Sequence, residues 1–127
     1  MPSITDITLV DKASNAQPFA VVLKDGLEAK WSFNNGSSLS LRPFATLRMR
    51  PENKSKNLDR KTTIQIVHPY TETVDSVVVT KYASARLELT TPESASTTVI
   101  GDLHAYAKAI LADALVTSTI EDAQFPY

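Results

Sequence analysis

The stretch Val77-Val78-Val79-Thr80-Lys81-Tyr82-Ala83-Ser84-Ala85-Arg86-Leu87-Glu88-Leu89-Thr90-Thr91-Pro92-Glu93 decides the fold. As far as Thr91 its side chains alternate. Val77, Val79, Ala83, Ala85, Leu87 and Leu89 fall on one side, with Lys81 the one exception, and Thr80, Tyr82, Ser84, Arg86 and Glu88 fall on the other. A period of two marks a strand, and so long an alternation marks a sheet with one covered face and one wet face. At Thr91-Pro92-Glu93 the period changes. A capping hydroxyl, a proline with preset φ and an acid at the positive dipole end predict a helix start there.

Upstream, the same alternation recurs. In Phe44 to Arg50, Ala45, Leu47 and Met49 share a face opposite Thr46, Arg48 and Arg50. Pro51 to Asn57 is a polar turn, and a second strand is expected from Thr62 to His68, with Ile64 and Ile66 opposed to Thr63, Gln65 and Val67. His68-Pro69-Tyr70-Thr71-Glu72-Thr73 is expected to be a loop. Nearer the N-terminus, Ile4–Val10 and Phe19–Leu23 are strand-like, and Asp25-Gly26 favours a tight hairpin turn. Leu27 to Phe33 alternates, placing Ala29 and Trp31 against Glu28 and Lys30, before the turn Asn34-Asn35-Gly36-Ser37.

Downstream, Val99, Leu103, Tyr106 and Ile110 form an apolar stripe at helical spacing, with a shorter helical piece from Val116 to Ala123. Strands come first and helices last, so the fold class is α+β. The parts are an N-terminal hairpin (1–25), an antiparallel sheet (26–91) and C-terminal helices with a tail (92–127), within one domain spanning 1–127.

Composition narrows the chemistry. The 127 residues include no cysteine, which excludes a disulfide framework, a thiolate metal site and a cysteine nucleophile. His68 and His104 are the only histidines, too few for a histidine metal centre and poorly placed for a triad. With three glycines there is no phosphate-cradling loop, and no apolar run approaches the ~20 residues of a membrane span. Neither an enzyme, a cofactor, a metal site nor a membrane partner is expected. A lone monomer of this size buries only about two-thirds of its unfolded surface.

The formal charge of -1 conceals an asymmetry. From Arg42 to Lys61 there are seven bases and two acids, a local +5, against -6 elsewhere. Alternation forces Arg48 and Arg50 out of one face. If the last three strands are neighbours, that face gathers Thr46, Arg48, Arg50, Thr63, Gln65, Tyr82, Ser84 and Arg86. Cations for phosphates, hydroxyls and amides for base edges, and an aromatic for stacking suit RNA. A solvated sheet face carries the same residue types with no ligand at all, and Glu88 either pairs with Arg86 or Arg48 or accepts from a base.

Taken in order, Ile7-Thr8-Leu9-Val10-Asp11, Leu27-Glu28-Ala29-Lys30-Trp31, Asp59-Arg60-Lys61-Thr62-Thr63-Ile64-Gln65-Ile66, Tyr82 through Pro92, Ala109-Ile110-Leu111 and the terminal Phe125-Pro126-Tyr127 resemble the coat proteins of single-stranded RNA bacteriophages of the levivirus type. The resemblance runs over nearly the whole chain. It implies an N-terminal β-hairpin, a five-stranded antiparallel sheet and two C-terminal helices, interlocked as an obligate homodimer. It further implies a capsid protein of the virion, assembled in the bacterial host cytoplasm into an icosahedral shell around single-stranded genomic RNA. The inward sheet face in that family binds an RNA hairpin, acting as a packaging signal and a translational repressor of the replicase.

Carried over residue by residue, the RNA-contacting positions fall on Thr46, Arg48 and Arg50, then Lys61, Thr63 and Gln65, then Ser84, Arg86 and Glu88. Ser84 stands where relatives have a base-stacking tyrosine, with Tyr82 a stacking candidate on the same face. Lys54 and Lys56 are expected to reach phosphates from the hairpin turn. The stretch His68, Pro69, Tyr70, Thr71, Glu72, Thr73, Val74, Asp75 and Ser76 matches the inter-subunit loop at the shell's symmetry axes. The alternative from residues alone is a non-capsid RNA-binding α+β module that remains a small oligomer.

Overall fold

The computed structural model describes residues 4–25, 27–50, 59–92 and 94–123. The chain divides into two compact units, Met1–Thr90 and Thr91–Tyr127. In the first unit six strands follow one another as an antiparallel meander: β1 (Ile7–Val10), β2 (Ala16–Asp25), β3 (Glu28–Ser32), β4 (Phe44–Arg50), β5 (Arg60–Val74) and β6 (Val77–Thr91). Their order in the sheet is their order in the chain, so β1 and β6 are the edges.

The expected hairpin is present but is continuous with the sheet. The first half of β2 pairs with β1 (Ile7 opposite Phe19, Val10 opposite Ala16), and its second half pairs with β3 (Ala20 opposite Ser32, Asp25 opposite Glu28). The sheet therefore has six strands where five and a separate hairpin were expected. The register shifts between Val21 and Leu23, a bulge centred on Val22 that reverses which face the following residues occupy. Gly26, the expected turn glycine, lies outside the described residues. The Asn34–Ser37 turn forms as its residues dictate: Gly36 has φ 83°, its N–H donates to Asn34 Oδ1 at 3.1 Å, and that of Ser37 donates to Asn35 Oδ1 at 3.1 Å. A short 3-10 turn, Leu39–Leu41, follows it.

The core sits on β2, β3 and β4. Phe19, Ala29, Trp31 and Ala45 are buried, with Ile4, Ile7, Leu9, Val21 and Phe33 packed around them. The Trp31 indole N–H donates to the Thr5 carbonyl at 2.8 Å, and the Phe19 and Phe33 rings stack 5.6 Å apart. The first pins the N-terminal segment to the sheet, and the second ties β2 to the end of β3.

The stretch His68–Thr73 is strand, contrary to the loop expected there. β5 continues through Pro69, Tyr70, Thr71, Glu72, Thr73 and Val74, and β6 begins at Val77, so the connection shrinks to Asp75-Ser76. Both turn residues have positive φ (50° and 65°), the requirement of a two-residue turn that matches strand twist. Proline reads as a breaker because it lacks an N–H, yet a strand tolerates it where the ladder needs no donor. The β-branched and aromatic residues after it then decide for the strand.

In the second unit, α1 spans Thr97–Ala112 and α2 spans Ala114–Asp122. The helix cap is Ser96, whose hydroxyl accepts the Val99 N–H at 3.3 Å, and not Thr91 as expected. Thr91 closes β6 and is buried, and the Ala95 N–H turns back to the Pro92 carbonyl at 3.1 Å, so four residues separate the strand end from the cap. Asp113 ends α1 and caps α2, accepting from the Leu115 N–H at 2.9 Å. Neither helix contains a buried residue.

Candidate nucleic-acid interface

The polar face of β4, β5 and β6 owes its layout to register. Thr46 lies opposite Gln65, Arg48 opposite Thr63 and Arg50 opposite Lys61, so the predicted residues of two strands meet as direct cross-strand pairs. β6 is hydrogen-bonded to the other edge of β5. The result is a shallow cleft of about 350 Å³ lined by Thr46, Arg48, Arg50, Lys61, Thr63, Gln65, Arg86 and Glu88. Eight of the residues expected to touch RNA are thus brought together. Ser84 and Tyr82 do not line this cleft, although alternation keeps them on its side of β6. Lys54 and Lys56 lie outside the described residues.

Electrostatically the cleft is less positive than a count of its cations suggests. Glu88 sits between two of them, with an oxygen 3.4 Å from Lys61 Nζ and another 3.6 Å from the Arg86 guanidinium. Arg48 donates to Glu28 Oε1 at 3.2 Å. Among the described residues, Arg50 makes no ion pair. All these pairs are exposed to water, the Arg48 side chain at 65% and that of Arg86 at 64%, so each contributes at most about 1 kcal/mol and opens readily for a phosphate. Arg48, Lys61 and Arg86 are thus held in position by weak carboxylate partners, and Arg50 is not.

Glu28 is a neighbour of the cleft's Arg48 that strand alternation alone does not reveal. It lies on the polar side of β3 and pairs in register with Arg48, a relation that exists only once the β3–β4 register is known. Among the described residues no cluster of His, Asp and Glu could hold a metal ion, and no helix is long and apolar enough to cross a membrane.

The expected inter-subunit stretch is the end of the β5–β6 hairpin. His68, Tyr70, Thr71, Glu72, Thr73, Val74, Asp75 and Ser76 are exposed, Pro69 is buried, and Glu72 pairs with Lys81 across the hairpin.

No family model matches the chain, and no curated protein matches it. Solved structures do. The virus-like particle of bacteriophage ESE058 matches with a TM-score of 0.87 at 17% identity, covering 99% of this chain and 100% of that one. The virus-like particle of bacteriophage AVE019 matches with a TM-score of 0.85 at 19% identity, covering 98% of each. The capsid protein of bacteriophage GA matches with a TM-score of 0.68 at 22% identity over 97% of this chain and 96% of that one. The chain has the fold of the coat proteins of levi-like single-stranded RNA phages.

Proposed function

We propose that this chain is a structural capsid protein of a single-stranded RNA phage, which dimerises and closes into an icosahedral shell with its polar sheet face turned onto the packaged RNA. The observation that carries this reading is the full-length likeness to capsid subunits, in which nearly every residue of both chains is matched.

The unsatisfied surfaces of the chain support it. β6 is a 15-residue edge strand whose outer side pairs with no other strand among the described residues, an exposure that soluble monomers avoid. On the apolar face of the sheet Leu47, Met49, Ile66 and Val79 stay exposed, and on the helices so do Val99, Leu103, Tyr106, Ile110 and Leu111. Two copies joined edge to edge through β6 about a twofold axis extend one sheet across the pair, and each copy's helices then cover the partner's apolar face. The remaining polar face of the joined sheet carries the Arg48–Arg50 cleft twice, related by the same twofold. RNA binding on it, including a hairpin that marks the genome and represses replicase translation, is part of this proposal.

The test is expression of the full chain, gel filtration and imaging of the leading peak. Closed particles containing nucleic acid are expected. A small oligomer with no larger species supports instead a non-capsid RNA-binding module and sinks the capsid reading. For the face, Arg48→Ala and Arg50→Ala are expected to weaken RNA retention and to lower the log–log salt slope by about 0.7–0.9 for each phosphate no longer neutralised. Unchanged packaging at matched salt in both variants would show that the cleft is not the RNA-binding surface.

A further inference from the structure

We propose that a second cleft on the same sheet face, bounded by Tyr82, Phe44, Lys30 and Arg42, holds an unpaired nucleotide of the RNA, with its base against Tyr82 and its phosphate at Lys30 and Arg42. The proposal rests on the RNA-face reading above and adds a binding position to it.

The cleft has a volume of about 600 Å³ and lies one step along the strands from the first. Lys30 pairs in register with Thr46, a wall of the first cleft, while Ser32 pairs with Phe44 one row further on. Two residues along a strand are ~7 Å, so the two clefts form a continuous track. Ala20 and Val22 of β2 also line it, as do Leu39 and Ser40 of the 3-10 turn.

The chemistry suits a nucleotide. Tyr82 is 61% exposed, an aromatic ring open to stacking without any rearrangement of the sheet. Lys30 Nζ lies 4.2 Å over the centre of the Phe44 ring, which holds its charge at the cleft while leaving its other side open. Arg42 commits its Nε to the Ser37 carbonyl at 3.1 Å, which fixes the guanidinium plane and leaves terminal donors over. Ser32 and Asn34 add a hydroxyl and an amide. In contrast to the first cleft, where Glu88 holds two cations, no carboxylate lines this one among the described residues. An aromatic platform beside unopposed cations is the arrangement that binds single strands with little sequence preference.

The experiment uses assembled full-length protein dissociated to its smallest stable oligomer, with fluorescein-labelled eight-nucleotide oligo(A) and oligo(U) RNA titrated by anisotropy at several salt concentrations. Tyr82→Ala is expected to weaken both by about 5- to 100-fold, the worth of one stacked base, while Tyr82→Phe retains most of the affinity. Lys30→Ala is expected to reduce the salt slope by about 0.7, the share of one single-strand phosphate. Ultraviolet crosslinking of the oligo(U) complex is expected to mark the peptide containing Tyr82. If Tyr82→Ala and Lys30→Ala both bind as wild type while Arg48→Ala and Arg50→Ala bind weakly, the second cleft is overturned and the RNA face stands. If wild-type protein binds neither RNA at low salt, the RNA face falls and this cleft with it.

Discussion

Glu88 is the residue at which charge reading and structure diverge most. As a carboxylate on a surface proposed to meet phosphate it looks misplaced, but its oxygens lie 3.4 Å from Lys61 Nζ and 3.6 Å from the Arg86 guanidinium. Glu88→Gln removes the charge and keeps the shape. It is expected to raise RNA affinity and to steepen the salt slope by up to about 1.4, since two cations become available to phosphate. Stability should change by less than about 1 kcal/mol, because the pair is solvent-screened. An unchanged slope would mean that neither Lys61 nor Arg86 reaches a phosphate.

Asp11 carries the pH dependence of the N-terminal hairpin. Its carboxylate accepts the Asn15 backbone N–H at 2.9 Å and then the Gln17 amide at 2.8 Å, and these bonds hold its pKa below the ordinary value of 3.8. The folded state favours the ionised form. Its contribution is therefore complete above the ordinary carboxylate value and is lost as pH falls through the lowered one. Thermal midpoints of wild type and Asp11→Ala are expected to differ by a constant amount near neutrality and to converge in acid. A difference that persists undiminished in acid contradicts this role.

At the scale of the element, α1 is the informative one. Its stripe has the spacing of a buried helix face, yet Val99 is 58% exposed and Ile110 59%. Burying one such side chain contributes about 1.5–3 kcal/mol. Ile110→Glu is therefore expected to leave helix content unchanged by circular dichroism while abolishing the dimer in sedimentation. Normal assembly by this variant would remove the stripe from the interface. The helix start shows how an element can be legible while its boundary is not. Thr91-Pro92-Glu93 has the right residue types for a cap, but the strand ladder extends to Thr91, and Ser96 provides the next hydroxyl. The β5–β6 hairpin shows the reverse error, since Pro69 hides a strand that the pairing with β6 sustains.

At the scale of the whole molecule, the meander sorts its chemistry by face and by end. The polar face carries the clefts, the apolar face carries uncovered side chains, and the far end of β5–β6 projects Tyr70 to Ser76 into solvent. Changing that end is expected to spare the dimer and to impair closure. Tyr70→Asp with Val74→Asp places charge on two exposed apolar side chains of the hairpin end, and sedimentation should find intact dimers with few closed shells. Loss of the dimer itself would contradict this division of labour.

The alternation of Val77 to Thr91, the turn residues at Asn34–Ser37 and the stripe of α1 were enough to establish strand, turn and helix, because each is a local pattern set by backbone geometry. The same alternation placed Arg48 with Arg50, and Thr63 with Gln65, on one side of their strands. Local periodicity carries no information about register, however. That Arg48 faces Thr63 and lies beside Glu28, that Glu88 reaches Lys61, and that Tyr82 stands with Lys30 and Phe44 away from Arg48 follow from cross-strand pairing between residues distant in the chain. Sequence order could assemble a basic face; tertiary pairing divided it into a carboxylate-moderated cleft and an aromatic one.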